Sequence, residues 1–273
     1  MTSKAATQPS APRLRVLTPP ATTDHFSLLG VKVAAAGFDE MAGLIIEAAR
    51  QRHRIRVHFA AVHTFIEASR DAELLETLRD ADVVTPDGMP LVWLGRLRGK
   101  RVERICGPDA MLAVLDRSRE HGQRHFFYGS SPEVVETLAE TMSERFPGLR
   151  VVGAHSPPYR SLSWSEVEDT VRMINEADPD YVWVGLGSPK QDQWLATFRP
   201  LLHAPVLLAV GAAFDFHAGK LTRAPRWAQR AGLEWLFRLA GEPRRLAWRY
   251  AQGGGRFGML LFSELLNRRK VTE

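Results

Sequence analysis

The sequence predicts an α/β protein with a mainly parallel sheet covered by helices on both faces, followed by a helical, basic C-terminal appendage. Between residues 28 and 216, short apolar runs alternate with amphipathic stretches of helical period, which is typical of a parallel sheet. After residue 216 the alternation stops, and two or three short helices are broken at Gly232, Pro243 and 253–255. We therefore divide the chain into an arm (1–27), a sheet domain (28–216) and an appendage (217–273).

Each element of the sheet domain follows from its local pattern. In one helix, for example, Val134, Val135, Leu138 and Met142 recur at steps of three and four. The N-terminal arm is rich in Pro, Thr, Ala and Ser and shows no period, so we expect it to be flexible. The predicted strands are 29–33, 55–61, 83–85, 125–128, 150–153, 181–185 and 206–210, and the predicted helices are 38–52, 64–80, 109–121, 132–146, 165–177 and 189–198.

Composition excludes several classes of protein. Hydrophobic residues make up 45% of the chain and charged residues 25%, so it is neither largely disordered nor fibrous. The longest uncharged apolar run, at 206–214, is far shorter than the ~20 residues that a membrane-spanning helix needs. The N-terminus lacks the apolar core of a secretion signal, and Cys106 alone cannot form an internal disulfide. We expect a cytoplasmic protein.

The charge is concentrated at the C-terminal end. Residues 217–273 hold twelve Lys and Arg against four Asp and Glu, whereas the rest of the chain has slightly more acids than bases. Aromatic side chains are interleaved with these bases, among them Trp227, Trp235 and Phe237. Such an appendage favours phosphate groups as partners, in a nucleic acid, an anionic membrane face or a phosphorylated substrate.

The candidate site lies directly after the predicted strands, because ligands of such sheets bind beyond the carboxyl ends of the strands. Glycines there let a phosphate approach the backbone, and a following helix N-terminus supplies free N–H groups. Pro132 and Pro189 each begin a helix just after such glycines, which suits a nucleotide diphosphate. The candidates are Thr64, Asp87, Gly129, Ser130, Gly185, Gly187, Lys190, Gln191 and Asp215.

These signals also have structural explanations. Asp87 lies in a Pro-Asp-Gly sequence that is ordinary in turns, and Thr64 could cap the helix that it begins. Lys190 and Gln191 fall in a first helical turn, where such side chains are usually solvated. Asp215 could be a turn or cap residue.

Several ligand-binding motifs are absent from the sequence. It has no P-loop, no complete dinucleotide fingerprint and no cluster typical of a metal site. Two Asp-x-Asp pairs, at 80–82 and 178–180, fall at the start of strands, the wrong edge for this site. We therefore expect neither a metal nor a cofactor.

The order of the motifs resembles the WecB/TagA/CpsF family, glycosyltransferase family 26. The resemblance extends from about residue 28 to residue 250. The stretches that carry it are 85–93 (TPDGMPLVW), 103–109 (ERICGPD), 127–130 (FYGS), 146–149 (FPGL), 151–153 (VVG), 179–194 (PDYVWVGLGSPKQDQW), 210–219 (VGAAFDFHAG), 223–227 (RAPRW), 232–239 (GLEWLFRL) and 242–245 (EPRR).

The resemblance implies a Rossmann-like, inverting glycosyltransferase for cell-surface polysaccharides, such as exopolysaccharide, teichoic acid or common antigen. It implies a UDP-sugar donor, a polyprenyl-diphosphate-linked acceptor and peripheral attachment to the anionic cytoplasmic membrane face. A homo-oligomer fits it as well. Many members carry an Asn before the position of Thr64, where this chain has Ala60 or Ala61, and this difference leaves the identity of the donor sugar open. The resemblance implies Asp87 as general base, Thr64 and Gln191 beside the sugar, Arg104 in the active site, Asp215 by the nucleotide, and Arg238 and Arg245 reaching the site from the appendage.

The residues fit this chemistry. One carboxylate can deprotonate the acceptor hydroxyl, whereas a glycosidase needs two carboxylates flanking the bond. The departing UDP gains negative charge that must be stabilised. We assign this stabilisation to Arg104, helix N-termini and appendage arginines. Two alternatives remain, a nucleic-acid-binding protein with a basic tail and a nicotinamide-dependent enzyme on the same fold. Binding of UDP without DNA or NADH would separate the three.

Overall fold

The computed structural model describes residues 24–241 and residue 258. One eight-stranded sheet forms the centre of the described chain. Its strands are β1 (His25–Leu28), β2 (Val31–Ala34), β3 (Ile55–Ala60), β4 (Val83–Pro86), β5 (Arg124–Gly129), β6 (Arg150–His155), β7 (Tyr181–Gly185) and β8 (Val206–Ala209).

The sheet is mainly parallel, which confirms the predicted fold class. The strand order is β1-β2-β4-β3-β8-β7-β5-β6, and only β1 runs antiparallel to its neighbour. The carboxyl ends of β3, β4, β5, β7 and β8 therefore share one edge. From β3 the chain crosses to β4, while β8 and β7 lie on the other side of β3. A crevice at such a point is where this class of sheet binds ligands.

Helices cover both faces of the sheet, with one apolar cluster on one face and two on the other. One face carries α1, α5, α6 and α9, and α2, α3, α4, α7 and α8 pack on the other. No helix among the described residues is long and apolar enough to cross a membrane. The helices are α1 (Phe38–Arg50), α2 (Val62–Ala68), α3 (Ala72–Arg79), α4 (Met89–Leu97), α5 (Gly107–Ser118), α6 (Pro132–Arg145), α7 (Trp164–Ala177), α8 (Lys190–Phe198), α9 (Ala213–His217), α10 (Arg226–Arg230) and α11 (Glu234–Gly241), and a 3₁₀ turn (Arg119–His121) follows α5.

The first predicted strand is wrong in detail. The structure has a hairpin of β1 and β2 where we predicted one strand at 29–33, and residues 25–27 of the predicted arm belong to this hairpin. Leu29 and Gly30 form its turn, with φ values of 54° and 78°. Two consecutive positive φ angles are typical of a tight hairpin turn. The sequence does not predict this turn, because Leu29 is apolar and continues the pattern of a strand.

Three helical features also differ from prediction. The predicted helix 64–80 is two helices, α2 and α3, and the side chain of Asp71 caps α3 by accepting hydrogen bonds from the N–H groups of Glu73 and Leu74. Helices α4 and α9 were not predicted. Gly95 lies in the middle of α4, where an added Cβ would come within 2.6 Å of the Val102 side chain. This close packing explains a glycine inside a helix.

The two Asp-x-Asp pairs lie at the amino edge of the sheet, as predicted. Asp80 and Asp82 each lie 3.0 Å from the guanidinium of Arg56, the second residue of β3. Asp178 pairs with Arg124, and a carboxylate oxygen of Asp180 accepts a hydrogen bond from the Arg124 N–H at 2.8 Å. Both pairs therefore join neighbouring strands.

A buried histidine should make stability pH-dependent. The Trp183 indole donates a hydrogen bond to Nδ1 of His125 (3.1 Å), so Nε2 carries the proton and faces Ser118 Oγ at 2.9 Å. Burial lowers the pKa of His125 from 6.5 to about 3. Between these values the unfolded chain binds the extra proton, so stability present above pH 6.5 is lost as the pH falls, by up to about 1.4 kcal/mol per pH unit.

Urea unfolding at pH 7, 6 and 5 measures this loss. We expect His125→Gln to be less stable than the wild type at pH 7 and to lose less stability on acidification. His121→Gln is the matched control, since His121 is exposed. Its free energy of unfolding should change with pH as that of the wild type does. Equal slopes for the wild type and His125→Gln would contradict the prediction.

Candidate active site

Asp87 lies at the carboxyl edge of the sheet, directly after β4. Its backbone N–H donates to the carbonyl of Ala60 at the end of β3 (3.0 Å), which ties the turn to the neighbouring strand. Arg104 holds the same turn from the other side. Its Nε donates to the carbonyl oxygen of Asp87 at 2.8 Å, and its Nη2 lies 3.6 Å from the Asp87 carboxylate. The structure therefore brings together the predicted base and the predicted arginine.

A chain of charged groups extends from Arg104 into the appendage. Arg104 forms an ion pair with Glu234, the first residue of α11. The other carboxylate oxygen of Glu234 accepts a hydrogen bond from Nε of Arg223 at 3.4 Å. Both terminal nitrogens of Arg223 donate to the carboxylate of Asp109, in the first turn of α5. Hence the described part of the appendage is bound to the sheet domain beside Asp87.

The pKa values in this cluster reflect its opposed charges. Burial disfavours a charged Arg104, but the carboxylates of Asp87 and Glu234 outweigh this effect and raise the pKa of Arg104. Burial likewise opposes ionisation of Asp109, yet hydrogen bonds from Arg223 and Cys106 lower the pKa of Asp109. Burial and the nearby Asp87 carboxylate raise the pKa of Cys106 well above its usual range. At neutral pH the cluster therefore contains charged arginines, an ionised Asp109 and a neutral thiol.

The last residues of β5 and β7 are both glycines, and they form a close backbone contact. Gly129 pairs with Gly185 across the two strands, and a Cβ on Gly129, whose φ is +125°, would lie 2.7 Å from the carbonyl oxygen of Gly185. The N–H of Ser130 donates to that carbonyl at 3.0 Å. The hydroxyl of Ser130 donates to the carboxylate of Asp215, in α9, at 3.4 Å. Four predicted residues are thus assembled at one point of the edge.

The side chain of Gln191 holds the loop between β7 and α8 against the sheet. This side chain is buried, accepts a hydrogen bond from the N–H of Gly187 (3.1 Å) and donates one to the carbonyl of Ala209 at the end of β8 (3.2 Å). Next to it, Asp192 shares a buried hydrogen bond of 2.8 Å with Nδ1 of His58 on β3. The first turn of α8 is therefore fixed to the two central strands.

Two other candidates lie apart from these contacts. Thr64 is buried and does not begin a helix, because α2 starts at Val62. As the third residue of α2, it accepts a hydrogen bond at its hydroxyl from the N–H of Ala61, the residue that precedes the helix (3.3 Å). Lys190 is exposed, and its ammonium group lies 4.5 Å from the ring centroid of Tyr159. Arg238 lies on α11, but its side chain is outside the described part of the structure, and Arg245 is outside the described residues.

Sequence reasoning missed the second half of the charged cluster. From the sequence alone, no role in the site is assigned to Arg223, Asp109 or Glu234. All three residues lie in stretches that carry the family resemblance, namely GPD, RAPRW and GLEW. Nothing in the local pattern shows that these separate stretches meet in space.

A comparison with known proteins identifies the family of this chain. A sequence model described as Glycosyl transferase WecG/TagA/CpsF family matches residues 26–271. The chain belongs to this family. The match covers both the sheet domain and most of the appendage, so it includes both halves of the charged cluster. Membership supports a glycosyltransferase over the two alternatives, a nucleic-acid-binding protein and a nicotinamide-dependent enzyme.

Similar curated proteins share one name, N-acetylglucosaminyldiphosphoundecaprenol N-acetyl-beta-D-mannosaminyltransferase. The protein of Bacillus subtilis (strain 168) is 29% identical over 206 residues, 74% of this chain and 77% of its own length. That of Bacillus spizizenii is 32% identical over 184 residues, 67% of this chain and 69% of its own. That of Staphylococcus aureus (strain MW2) is 31% identical over 173 residues, 63% of this chain and 66% of its own.

Proposed function

We propose that this glycosyltransferase transfers a sugar, with inversion, from a UDP-sugar to a polyprenyl-diphosphate-linked acceptor sugar in the synthesis of a cell-surface polysaccharide. The names of the relatives support an undecaprenyl-diphosphate-linked acceptor and an N-acetylmannosamine-type donor sugar. The observation that carries the proposal is the pairing of Asp87 with Arg104 at the carboxyl edge of the sheet, within a family of glycosyltransferases.

Asp87 is the general base in this proposal. Its side chain is 28% exposed, so an acceptor hydroxyl can reach it, while its backbone is fixed on both sides by Ala60 and Arg104. A carboxylate in hydrogen-bond reach takes the proton as the new C–O bond forms, which contributes about 10²–10⁴-fold to the rate. Attack by one activated hydroxyl on the face opposite the departing UDP inverts the anomeric carbon.

Arginines and backbone groups hold the diphosphate. Arg104 provides positive charge where the departing UDP becomes more negative. Gly129 and Gly185 let the nucleotide approach the backbone, and α6, which begins three residues after Gly129, directs the positive end of its dipole to this edge. Asp215, with Ser130, contacts the nucleotide, and Thr64, Gln191 and Lys190 lie towards the sugar. Arg238 and Arg245 would add charge from the appendage.

A direct assay tests the function. The full-length protein is incubated with a short-chain undecaprenyl-diphosphate-GlcNAc analogue and a panel of UDP-sugars, and the products are identified by mass spectrometry. We expect transfer from one UDP-N-acetylhexosamine, with retention of activity in EDTA, because Arg104 provides positive charge beside the base. Binding of UDP without any transfer from the panel would contradict the proposal. Loss in EDTA that Mg²⁺ restores would contradict the metal-free mechanism.

An exposed aromatic patch supports attachment to the membrane face. The patch consists of Trp93 and Leu97 on α4, Trp227 on α10, and Leu236 and Phe237 on α11, all at least 40% exposed. The rings of Trp227 and Phe237 are 5.9 Å apart and edge to face. Trp and basic side chains favour the headgroup region of a bilayer. Since α4 begins two residues after Asp87, a patch in the headgroups would bring the base close to a lipid-linked acceptor.

Removal of the patch should release the protein from vesicles. We expect the variant with Leu97→Ser, Trp227→Ser and Phe237→Ser to bind vesicles containing phosphatidylglycerol at least about tenfold more weakly, because each buried apolar side chain contributes about 1.5–3 kcal/mol. Co-sedimentation measures the binding. The control, Trp164→Ser with Leu201→Ser, removes exposed apolar side chains elsewhere. Equal binding by both variants would mean that the patch does not face lipid.

A further inference from the structure

Glu234 occupies a position between two arginines that is suited to a phosphate. Its two carboxylate oxygens are held separately, Oε2 by Nη2 of Arg104 and Oε1 by Nε of Arg223. The three side chains are largely buried, with 15–20% of each exposed. Two guanidinium groups that converge on two oxygens of one anionic group are equally suited to a carboxylate and to a phosphate.

The charge of the cluster shows what an incoming anion would meet. Around the two arginines lie three carboxylates, those of Asp87, Asp109 and Glu234. The described cluster therefore carries a net negative charge while Glu234 is in place, and a diphosphate would be repelled. Asp87 and Asp109 are fixed in the sheet domain, whereas Glu234 begins a helix of the appendage. Glu234 is thus the carboxylate that can leave.

We propose that Arg104 and Arg223 form a binding site for a diphosphate group, and that the carboxylate of Glu234 occupies this site until the substrate's diphosphate displaces it. This inference rests on the proposed function for the identity of the anion, a nucleoside diphosphate. It adds Arg223 to the binding residues. It also requires that the ion pair between Glu234 of α11 and Arg104 of the sheet domain breaks when the substrate binds.

Removal of the charge on Glu234 tests the exchange. In the full-length protein, titration calorimetry measures the affinity for UDP, UMP and inorganic pyrophosphate at low salt. We expect Glu234→Gln to bind UDP and pyrophosphate about tenfold more tightly than the wild type and to gain less for UMP, which has one phosphate. Glu76→Gln is the matched control, because Glu76 pairs with Arg79 on the exposed side of α3. It changes the net charge equally and should leave all three affinities unchanged.

A second variant tests the other arm of the site. Arg223→Gln should weaken UDP binding about tenfold. In the double variant with Glu234→Gln, the tighter UDP binding expected for Glu234→Gln alone should disappear. Affinity of Glu234→Gln within twofold of the wild type would overturn the exchange, and wild-type affinity in Arg223→Gln would overturn the site even if Glu234→Gln did not fold. If the wild type transfers sugar but Glu234→Gln does not bind UDP more tightly, this inference is refuted and the proposed function stands. A wild type that binds UDP but transfers nothing refutes only the function.

Discussion

Asp87→Asn should lower the rate of sugar transfer by about 10²–10⁴-fold, the contribution of a general base, while UDP affinity stays near that of the wild type. The substitution keeps the size of the side chain and removes its basicity. The turn should survive, because its hydrogen bonds to Ala60 and Arg104 use the backbone N–H and carbonyl of residue 87. Steady-state kinetics with the short-chain acceptor, together with calorimetric UDP binding, measure both effects.

A matched control separates this effect from a change in net charge. Asp80→Asn removes a carboxylate that is 81% exposed at the amino edge of the sheet, where it pairs with Arg56. It should retain wild-type turnover. Asp87→Asn with turnover within about fivefold of the wild type would remove Asp87 from the role of base. Loss of UDP affinity together with turnover would mean that the substitution disturbs the nucleotide site instead.

The parallel core of the fold was predictable because buried strands are short, continuously apolar and followed by polar turns. β7 and β8 are examples, with almost every residue buried. The errors occurred where tertiary contacts override the local pattern. The turn at Leu29 and Gly30 requires two positive φ angles. An apolar residue such as leucine does not indicate a positive φ in the sequence. Helix α4, with Pro90 and Gly95 in nine residues, is stabilised by packing against Phe26 and Val102 rather than by helix propensity.

The candidate site was predictable in position but not in its partners. The carboxyl edge of a parallel sheet is a property of the topology, so residues after the strands converge there whatever their identity. This places Ser130 beside Asp215. Arg104, which lies between α4 and α5 and follows no strand, was predicted only from the family resemblance, and the structure pairs it with Asp87. Which long side chains meet across that edge depends on how the appendage folds back. Arg223 and Asp109 are 114 residues apart in the chain, and no local period links them.

The geometry of the Arg104 guanidinium predicts a large effect for the conservative change Arg104→Lys. Arg104 uses different nitrogens to hold the Asp87 carbonyl and to approach the carboxylates of Asp87 and Glu234. Lysine keeps the charge but offers one ammonium group, which cannot make these contacts together. We expect turnover to fall about 10²-fold, the cost of removing one stabilising donor at a developing negative charge. UDP affinity should also fall, by about tenfold, which distinguishes this variant from Asp87→Asn.

Arg117→Lys serves as the control, because Arg117 makes an exposed ion pair with Asp39 on the surface of the sheet domain, and surface pairs contribute little. It should match the wild type in turnover and in UDP binding. If Arg104→Lys loses turnover but keeps its UDP affinity, Arg104 acts by holding the Asp87 turn and not on the diphosphate. If both quantities stay within about threefold of the wild type, neither role is correct, and the charge of the departing UDP must be stabilised by other groups at this edge.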